Sequence, residues 1–253
     1  MVNAATFWKE LQRRGALMEY CSPEYKAVTL AQKANLLQEG CFFQPGAANT
    51  FSIIWNPRDV KDDITSWAQA VDPKFAGKVV SGDPRKSEAY LDTFIGLKAL
   101  LGIDWFKKLA GQKPFWLSRS TDMRDRVVSG EYPIWFPGFG QRAYQVRDQI
   151  GLKVAFASEG VPVQGMYAGI LAKAPHPNAA KLWTDFIFSQ EGQTMIMEIE
   201  AVNAVRPDVA IPASVKPFMK PIGDLKIMPM DWLGLSEQTR DKAREEFRDL
   251  FGG

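Results

Sequence analysis

Short apolar stretches alternate with helical patterns through the middle of the chain, and this alternation limits the possible folds more than any other feature. Strand-like runs occupy residues 50–55, 78–84, 113–120 and 132–138. The second and third lead into segments whose apolar residues recur at helical spacing. Parallel strands need crossover connections, usually helices. The order therefore predicts an α/β fold, with helices flanking mixed, mainly parallel sheets.

Two breaks in composition divide the chain into two predicted lobes. Asn56-Pro57 ends the first strand-like run, and Gly160-Val161-Pro162 interrupts the chain again. The segment between them, residues 56–161, has the size of a compact domain. We expect it to form lobe 2, and residues 1–55 and 162–253 to form lobe 1 together.

Composition excludes several classes of protein. The 253 residues are 46% hydrophobic and carry a net charge of only +2, which is ordinary for a folded soluble chain. The interspersed charges argue against a nucleic-acid partner. No apolar run approaches the ~20 residues of a membrane span, so direct membrane insertion is not expected. The opening stretch MVNAATFWKELQRRG is amphipathic and lacks the parts of an export signal.

Hydroxyl and basic side chains gather where two predicted helices begin. LSRSTDMRD and SGDPRKSEAY each place them just before a helix, whose N-terminus offers unpaired N–H groups and partial positive charge. If the preceding strands share one parallel sheet, both helix starts lie at its carboxyl edge, where α/β proteins bind ligands. The alternative interpretation is plain helix capping. The candidate anion-binding residues are Arg85, Ser87, Ser118, Arg119, Ser120 and Thr121.

Aromatic and amide side chains supply candidate walls for the same site. Trp135 and Phe139 flank the predicted carboxyl edge, although clustered aromatic residues are also typical of a core. Tyr167 could donate its hydroxyl group to a ligand. Gln141 and Gln164 complete the set of candidate ligand-binding residues.

One stretch suggests an enzyme instead. Gly138-x-Gly140-x-x-Ala143 follows a strand-like run, and Glu159 lies 21 residues beyond Gly138, near where a dinucleotide fold places its ribose-binding acid. The competing interpretation is an ordinary strand–helix–strand unit with a glycine-rich turn. A dinucleotide-dependent enzyme is therefore the alternative function.

The only histidine favours structure over catalysis. His176 lies between two prolines, and Pro177 suits the first position of a helix. No Gly-x-Ser-x-Gly elbow accompanies it, so we predict no catalytic residue. The apolar residues of the following helix share one face and predict packing against a sheet: Ala179, Leu182, Trp183, Phe186 and Ile187.

Cys21 and Cys41, 20 residues apart, leave two interpretations open. They are either two half-buried thiols or one disulfide in an oxidising compartment, which would stabilise the fold by roughly 3 kcal/mol. One histidine and two cysteines cannot complete a tetrahedral zinc site without carboxylates. We therefore expect no metal and no cofactor.

Several segments together resemble the extracellular solute-binding proteins of bacterial ABC importers. They are SWAQAVDPKFAGKVVSGDP, VVSGEY, the AxHPNAAKLWxDFxxSxEGQ pattern from residue 174, VRPDV and GALMEYCSPEY. The resemblance is to the type 2 periplasmic binding fold of the ferric-iron, phosphonate and sugar-phosphate binders. It implies two lobes joined by hinge strands near residues 51–56 and 160–165. It also implies a small-molecule solute in the cleft, a membrane permease as partner, and a periplasmic or extracellular location.

The sequence departs from this family pattern in two ways, one in the first lobe and one in the expected ligand. Family members usually begin with a strand–helix–strand unit before the point that matches Met1, so we expect the first lobe to be incomplete. The ferric-iron binders use adjacent tyrosines, whereas the region of residues 140–144 holds only Tyr144. Iron is thus an alternative ligand. Arg85, Arg119 and Arg142 favour an anionic organic solute, such as a phosphonate, sugar phosphate or carboxylate.

Overall fold

The structure is a computed structural model and describes residues 1–3 and 5–252. Within them, six strands form one path in the order β1-β7-β2-β5-β3-β4, and β6 pairs with β2 beside it. The strands are β1 Leu17–Met18, β2 Phe43–Trp55, β3 Val79–Gly82, β4 Phe115–Leu117, β5 Ile134–Phe139, β6 Lys153–Ala155 and β7 Val163–Leu171.

Helices cover this sheet and fill the chain after β7. Those of the described residues are α1 Ala5–Arg13, α2 Thr29–Lys33, α3 Trp67–Ala70, α4 Glu88–Leu101, α5 Ile103–Gly111, α6 Ser120–Ser129, α7 Gly140–Tyr144, α8 Pro177–Phe188, α9 Gln190–Glu200 and α10 Glu237–Phe251. None of them combines the length and apolar character that a membrane crossing requires.

The α/β class is confirmed, and the strand pairing is mixed. β3 pairs in parallel with β4 and β5, as predicted for the middle of the chain. β2 pairs antiparallel with β5, β6 and β7, so parallel pairing does not dominate the whole sheet. β2 has 13 residues, all of them buried. Its first part pairs with β7 and its last part pairs with β5 and β6.

The first half of β2 was not predicted as a strand. Its sequence, FQPGAAN, contains the polar Gln44 followed by Pro45 and Gly46, and proline and glycine usually favour turns. The structure buries all three, and the Gln44 side-chain amide donates to the carbonyl groups of Gln38 and Gly40. Residues 44–46 therefore form a strand because they are buried between β7 and the segment around residue 40, although their residue types alone favour a turn.

α8 begins as predicted but packs differently. Pro177 takes its first turn, and the His176 carbonyl accepts the Ala180 N–H at 3.0 Å. Ile187 and Phe188, at the other end, are buried. Leu182 and Trp183 are instead 72% and 62% exposed, which corrects the prediction that the whole apolar face packs against a sheet. The described residues contact the final turn of α8 and leave the middle of its apolar face open.

The two cysteines form a disulfide, with Cα atoms 5.0 Å apart. This settles the choice between free thiols and a disulfide. The Tyr20 N–H donates to the Cys41 carbonyl beside it at 3.0 Å. The bond closes a loop that contains α2 and a short 3-10 helix, Pro23–Ala27.

Two ion pairs with buried arginines join distant segments. Arg240 of α10 makes two hydrogen bonds with Asp92 of α4, at 2.9 and 3.2 Å. Arg206 contacts Asp208 and also reaches Glu24 in the disulfide loop, at 2.5 Å. Each pair ties a late segment of the chain to an earlier one.

Candidate functional site

The N-terminus of α6 is open to a ligand. Arg119 occupies the capping position in an extended conformation, and its side chain makes no capping hydrogen bond. Ser118 and Arg119 are exposed, whereas Ser120 and Thr121 are half-buried. The N-terminal end of α6 therefore keeps its partial positive charge next to the Ser120 hydroxyl. The Thr121 hydroxyl instead donates to the Asp122 carboxylate of the same turn at 3.2 Å. This arrangement can hold an anion.

Arg142 of α7 supplies a guanidinium group at the same place. Its Nε donates to the Ser120 hydroxyl at 3.0 Å, and its Nη1 donates to the Gln145 amide oxygen at 3.0 Å. Both partners are neutral. Partial burial is the main cause that lowers the pKa of Arg142 below its ordinary value, and the nearby Arg124 guanidinium is the second cause. The Glu200 carboxylate acts in the opposite direction. Arg142 remains charged at neutral pH and can pair with a bound anion.

The two predicted aromatic wall residues lie beneath this site, in the core. Trp135 has no exposed surface, and Phe139 retains only 7% of its own. The Phe139 ring packs on Phe51 and Tyr90, with centroids 4.7 and 5.9 Å apart. Trp135 and Phe139 thus support α6 and α7 from below and form no open wall. They are buried because β5, which carries both, lies between β2 and β3 in the sheet.

The other predicted helix start is occupied by contacts within the protein. The Arg85 guanidinium pairs with Asp83 at 2.9 Å and also donates to the Gly252 carbonyl at 2.6 Å. It lies over the Phe247 ring of α10, 5.5 Å from the centroid. Ser87 precedes α4 without a side-chain capping bond. Arg85 is therefore directed to α10 and does not join Arg142 at the start of α6.

Gln141 and Gln164 lie near the junction of β2 with β5 and β7, whereas Tyr167 does not. Gln141 is half-buried and borders a cavity of about 10 Å³. Gln164 is buried opposite Asn49 of β2, and its Oε1 has no hydrogen-bond partner among the described residues. The Tyr167 hydroxyl donates to the Leu36 carbonyl at 3.2 Å, inside the core. Tyr167 is thus a structural residue in this conformation.

The small cavity reveals residues that sequence reasoning missed. Asn49 and Thr50 of β2 form one side, and Asn203, after α9, forms another. Asn203 pairs with Ala48 through two backbone hydrogen bonds, at 2.9 and 3.0 Å. No local pattern indicated these positions, because three segments distant in sequence meet there. At this volume the cavity has room for about one water molecule.

The dinucleotide-binding alternative lacks its structural context. Such a unit needs neighbouring parallel strands, whereas β5 and β6 each pair antiparallel with β2. A Cβ at Gly140 would meet the Phe218 carbonyl oxygen, so packing accounts for that glycine. The Glu159 carboxylate accepts the Trp67 and Ala68 N–H groups at 3.2 and 3.0 Å and caps α3. The glycines and the acid therefore have structural roles.

Sequence and structure comparisons relate the chain to known proteins. The sequence model of a family described as bacterial extracellular solute-binding protein matches residues 10–198. A comparison with curated protein sequences finds no match.

Three solved structures share the fold at low sequence identity. The periplasmic binding protein AfuA of Actinobacillus pleuropneumoniae, with fructose-6-phosphate bound, has a TM-score of 0.76 and 20% identity, over 95% of this chain and 78% of AfuA. Iron-bound HitA of Pseudomonas aeruginosa has a TM-score of 0.74 and 20% identity, over 98% and 80%. A substrate-binding protein of an ABC transporter from Agrobacterium tumefaciens has a TM-score of 0.75 and 14% identity, over 99% and 78%.

Proposed function

Because the chain belongs to the family of bacterial extracellular solute-binding proteins, we propose that it binds a small anionic solute beside α6 and delivers it to the membrane permease of an ABC importer. The observation that carries the proposal is the contact between Arg142 and Ser120 at the uncapped start of α6. A guanidinium group, a hydroxyl group and free backbone N–H groups converge there. This is the chemistry that recognises phosphate and carboxylate groups.

The solute cleft lies between two proposed lobes, residues 56–161 and residues 1–55 with 162–253. β2 supports the division, since it pairs with β7 along residues 43–50 and with β5 and β6 along residues 51–55. The Thr6 hydroxyl of α1 donates to the Glu88 carboxylate of α4 at 2.7 Å, across the proposed boundary. Bending of the strands near residues 51–56 and 160–165 would open and close the cleft.

An organic anion is favoured over ferric iron as the solute. The Tyr144 side chain is buried, and its hydroxyl donates to the Glu198 carbonyl at 3.0 Å. Tyr144 is thus not presented to a ligand. The sugar phosphate bound to AfuA is an example of the favoured solute class.

We place the protein in the periplasm or outside the cell, without a catalytic role. The family is extracellular, and the Cys21–Cys41 disulfide is typical of oxidising compartments. The structural roles of Gly140 and Glu159 argue against the dinucleotide-dependent alternative.

Isothermal titration calorimetry tests the solute class. The anionic probes are inorganic phosphate, a sugar phosphate, a phosphonate and a dicarboxylate, and the comparison probes are a neutral sugar and ferric ion. We expect at least one anion to bind in equimolar ratio, and more weakly as ionic strength rises. Binding of only neutral or cationic probes, or of no anion, would overturn the proposal.

Thermal unfolding tests the enzymatic alternative in parallel. A ligand at 100 times its dissociation constant stabilises the folded state by roughly 2.7 kcal/mol. NAD and NADP are expected to leave the melting temperature unchanged, whereas a binding anion raises it. Stabilisation by a dinucleotide alone would favour the enzyme.

A further inference from the structure

The chain crosses between the two proposed lobes a third time, after both hinge strands. Residues 226–236 form this C-terminal crossing. It begins beside the second hinge strand, where the Val161 N–H donates to the Lys226 carbonyl at 2.8 Å and the Met228 N–H donates to the Val161 carbonyl at 2.9 Å. It ends at Ser236, whose hydroxyl caps α10. A third backbone connection therefore runs alongside the two hinge strands.

α10 packs on lobe 2, although it follows lobe 1 in the sequence. The Phe247 ring contacts Phe94 of α4 and Trp116 of β4, with centroids 5.5 and 4.8 Å apart. Arg240 adds its buried ion pair with Asp92 of α4. Separation of α10 from α4 would expose these rings to water and leave Arg240 without its buried partner. α10 therefore moves together with lobe 2.

The C-terminal crossing is attached to lobe 1 before it reaches α10. Leu233 packs against a buried apolar cluster of lobe 1 that contains Trp8 of α1 and Tyr167 of β7. The Leu233 carbonyl also accepts a hydrogen bond from the Lys9 ammonium group of α1. The crossing is thus held by lobe 1 at Leu233 and by lobe 2 at α10.

The connector between these two attachments is short. Only Gly234 and Leu235 separate Leu233 from Ser236. Three peptide units span at most about 11 Å between the first and last Cα atoms. The Leu235 carbonyl accepts a hydrogen bond from Arg240 Nη1 at 2.8 Å, which fixes the connector at its α10 end. The connector therefore has little slack.

The helix that holds Leu233 also contacts lobe 2 directly. The Thr6 hydroxyl of α1 donates to the Glu88 carboxylate at the start of α4 at 2.7 Å. Thr6 and Lys9 are three positions apart and lie on one face of α1. That face is directed across the proposed boundary, towards α4 and the C-terminal crossing. Movement of α1 away from α4 consequently increases the distance that the connector must span.

We propose that the C-terminal crossing is a strap that limits how far the two lobes open. This inference rests on the proposed lobes and on their bending about the hinge strands. Opening breaks the hydrogen bond between Thr6 and Glu88, whereas the strap stays attached to lobe 1 at Leu233 and to lobe 2 through α10. Because the strap removes widely open arrangements, it raises the fraction of molecules near the closed form. A solute that binds the closed form gains apparent affinity from that shift.

Pulsed electron spin resonance tests the strap in the full chain without solute. Spin labels on Lys107→Cys of α5 and Lys173→Cys after β7 report the distance between the lobes. Both positions are exposed, and the native cysteines form a disulfide and stay unlabelled. Insertion of Gly-Ser-Gly-Ser between Gly234 and Leu235 adds up to about 14 Å of reach and keeps both attachments. We expect this variant to gain a population with longer distances between the labels.

Matched changes show whether the effect belongs to the strap. The same insertion between Asp62 and Asp63, in an exposed loop inside lobe 2, should leave the distances of the parent chain unchanged. Lys9→Met frees the Leu233 carbonyl from α1 and should lengthen the distances by a smaller amount. Arg13→Met should have no effect, because Arg13 pairs with Glu10 of its own helix.

The distances decide the proposal independently of any solute. Circular dichroism and urea unfolding show which variants fold. A folded variant with the insertion after Gly234 that keeps the distances of the parent chain overturns the strap. Equal lengthening by the insertion after Asp62 does the same. Where the insertion after Gly234 prevents folding, unchanged distances in Lys9→Met overturn it instead. Calorimetry in which no anion binds refutes the proposed solute and leaves this comparison of distances intact.

Discussion

The Arg142 side chain donates through Nε to the Ser120 hydroxyl at 3.0 Å and thereby joins the starts of α7 and α6. The two residues are 22 positions apart and belong to helices that follow different strands, β5 and β4. Arg142 remains partly buried beside Arg124, with neutral hydrogen-bond partners. The Arg142 guanidinium thus lies at the start of α6 and makes no ion pair with a carboxylate among the described residues.

Replacing Arg142 with glutamine should weaken solute binding with little effect on folding. Glutamine keeps a hydrogen-bond donor but removes the charge, and a hydrogen bond to a charged group contributes about 1.5–3 kcal/mol. Affinity for the anion identified by calorimetry should therefore fall by roughly 10- to 150-fold. Titration of both proteins, with urea unfolding to verify stability, measures this.

Arg147 provides the matched control. It lies in the same segment, but its guanidinium stacks on the Tyr144 ring, 4.0 Å from the centroid. Arg147→Gln removes the same charge from the protein and should retain most of the affinity. If the wild type and Arg142→Gln bind the anion with equal affinity, Arg142 does not contact the solute.

Local patterns predicted the helix starts better than the contacts of the site. Pro177 at the start of α8 and the hydroxyl residues before α6 are signals within a few residues, and the structure places both helices there. The contact of Arg142 with Ser120 and the burial of Trp135 depend on strand order. One sequence does not encode that order in any short motif.

Removal of the Cys21–Cys41 disulfide should destabilise the fold without abolishing it. A covalent link across 20 residues restricts the unfolded chain, and loops of this size contribute roughly 3 kcal/mol. The Cys21→Ser/Cys41→Ser variant should therefore unfold at lower urea concentration. Dithiothreitol should shift the wild type by a similar amount and leave the variant unchanged. If thiol titration shows complete reduction and the wild type still unfolds at the same urea concentration, this estimate is refuted.

The buried pair of Asp92 and Arg240 should be sensitive to loss of one partner. Arg240 is 1% exposed and contacts both carboxylate oxygens of Asp92. Burial raises the pKa of Asp92, and the adjacent guanidinium opposes that rise. Asp92→Asn removes the buried partner of Arg240 and leaves only Glu237, which is mostly exposed and 3.3 Å from Nη1. The change should therefore cost up to about 3–5 kcal/mol of unfolding free energy.

A double-mutant cycle separates the pair from simple packing. Asp92→Leu/Arg240→Met removes both charges and keeps apolar volume, so it should recover much of the stability lost in Asp92→Asn. Urea unfolding of the wild type, Asp92→Leu, Arg240→Met and the double variant measures the coupling. Additive losses from the two single changes would mean that the charges do not interact.

Acid should weaken the contact between Asp208 and Arg206. The hydrogen bonds from the Arg206 guanidinium lower the pKa of Asp208 below its ordinary value of 3.8. A carboxylate with a lowered pKa in the folded state stabilises it fully above the pKa of the unfolded chain. That contribution disappears as the pH falls through the lower folded value. The effect is modest, because the Asp208 side chain is 46% exposed and salt screens it.

The difference in unfolding free energy between the wild type and Asp208→Asn isolates this contribution. It should stay constant from neutral pH to near the unfolded aspartate value of about 3.9, and then shrink as Asp208 takes up a proton. A difference that grows with acidity would reverse the assigned sign, because it would mean that the folded state binds the proton more tightly than the unfolded chain.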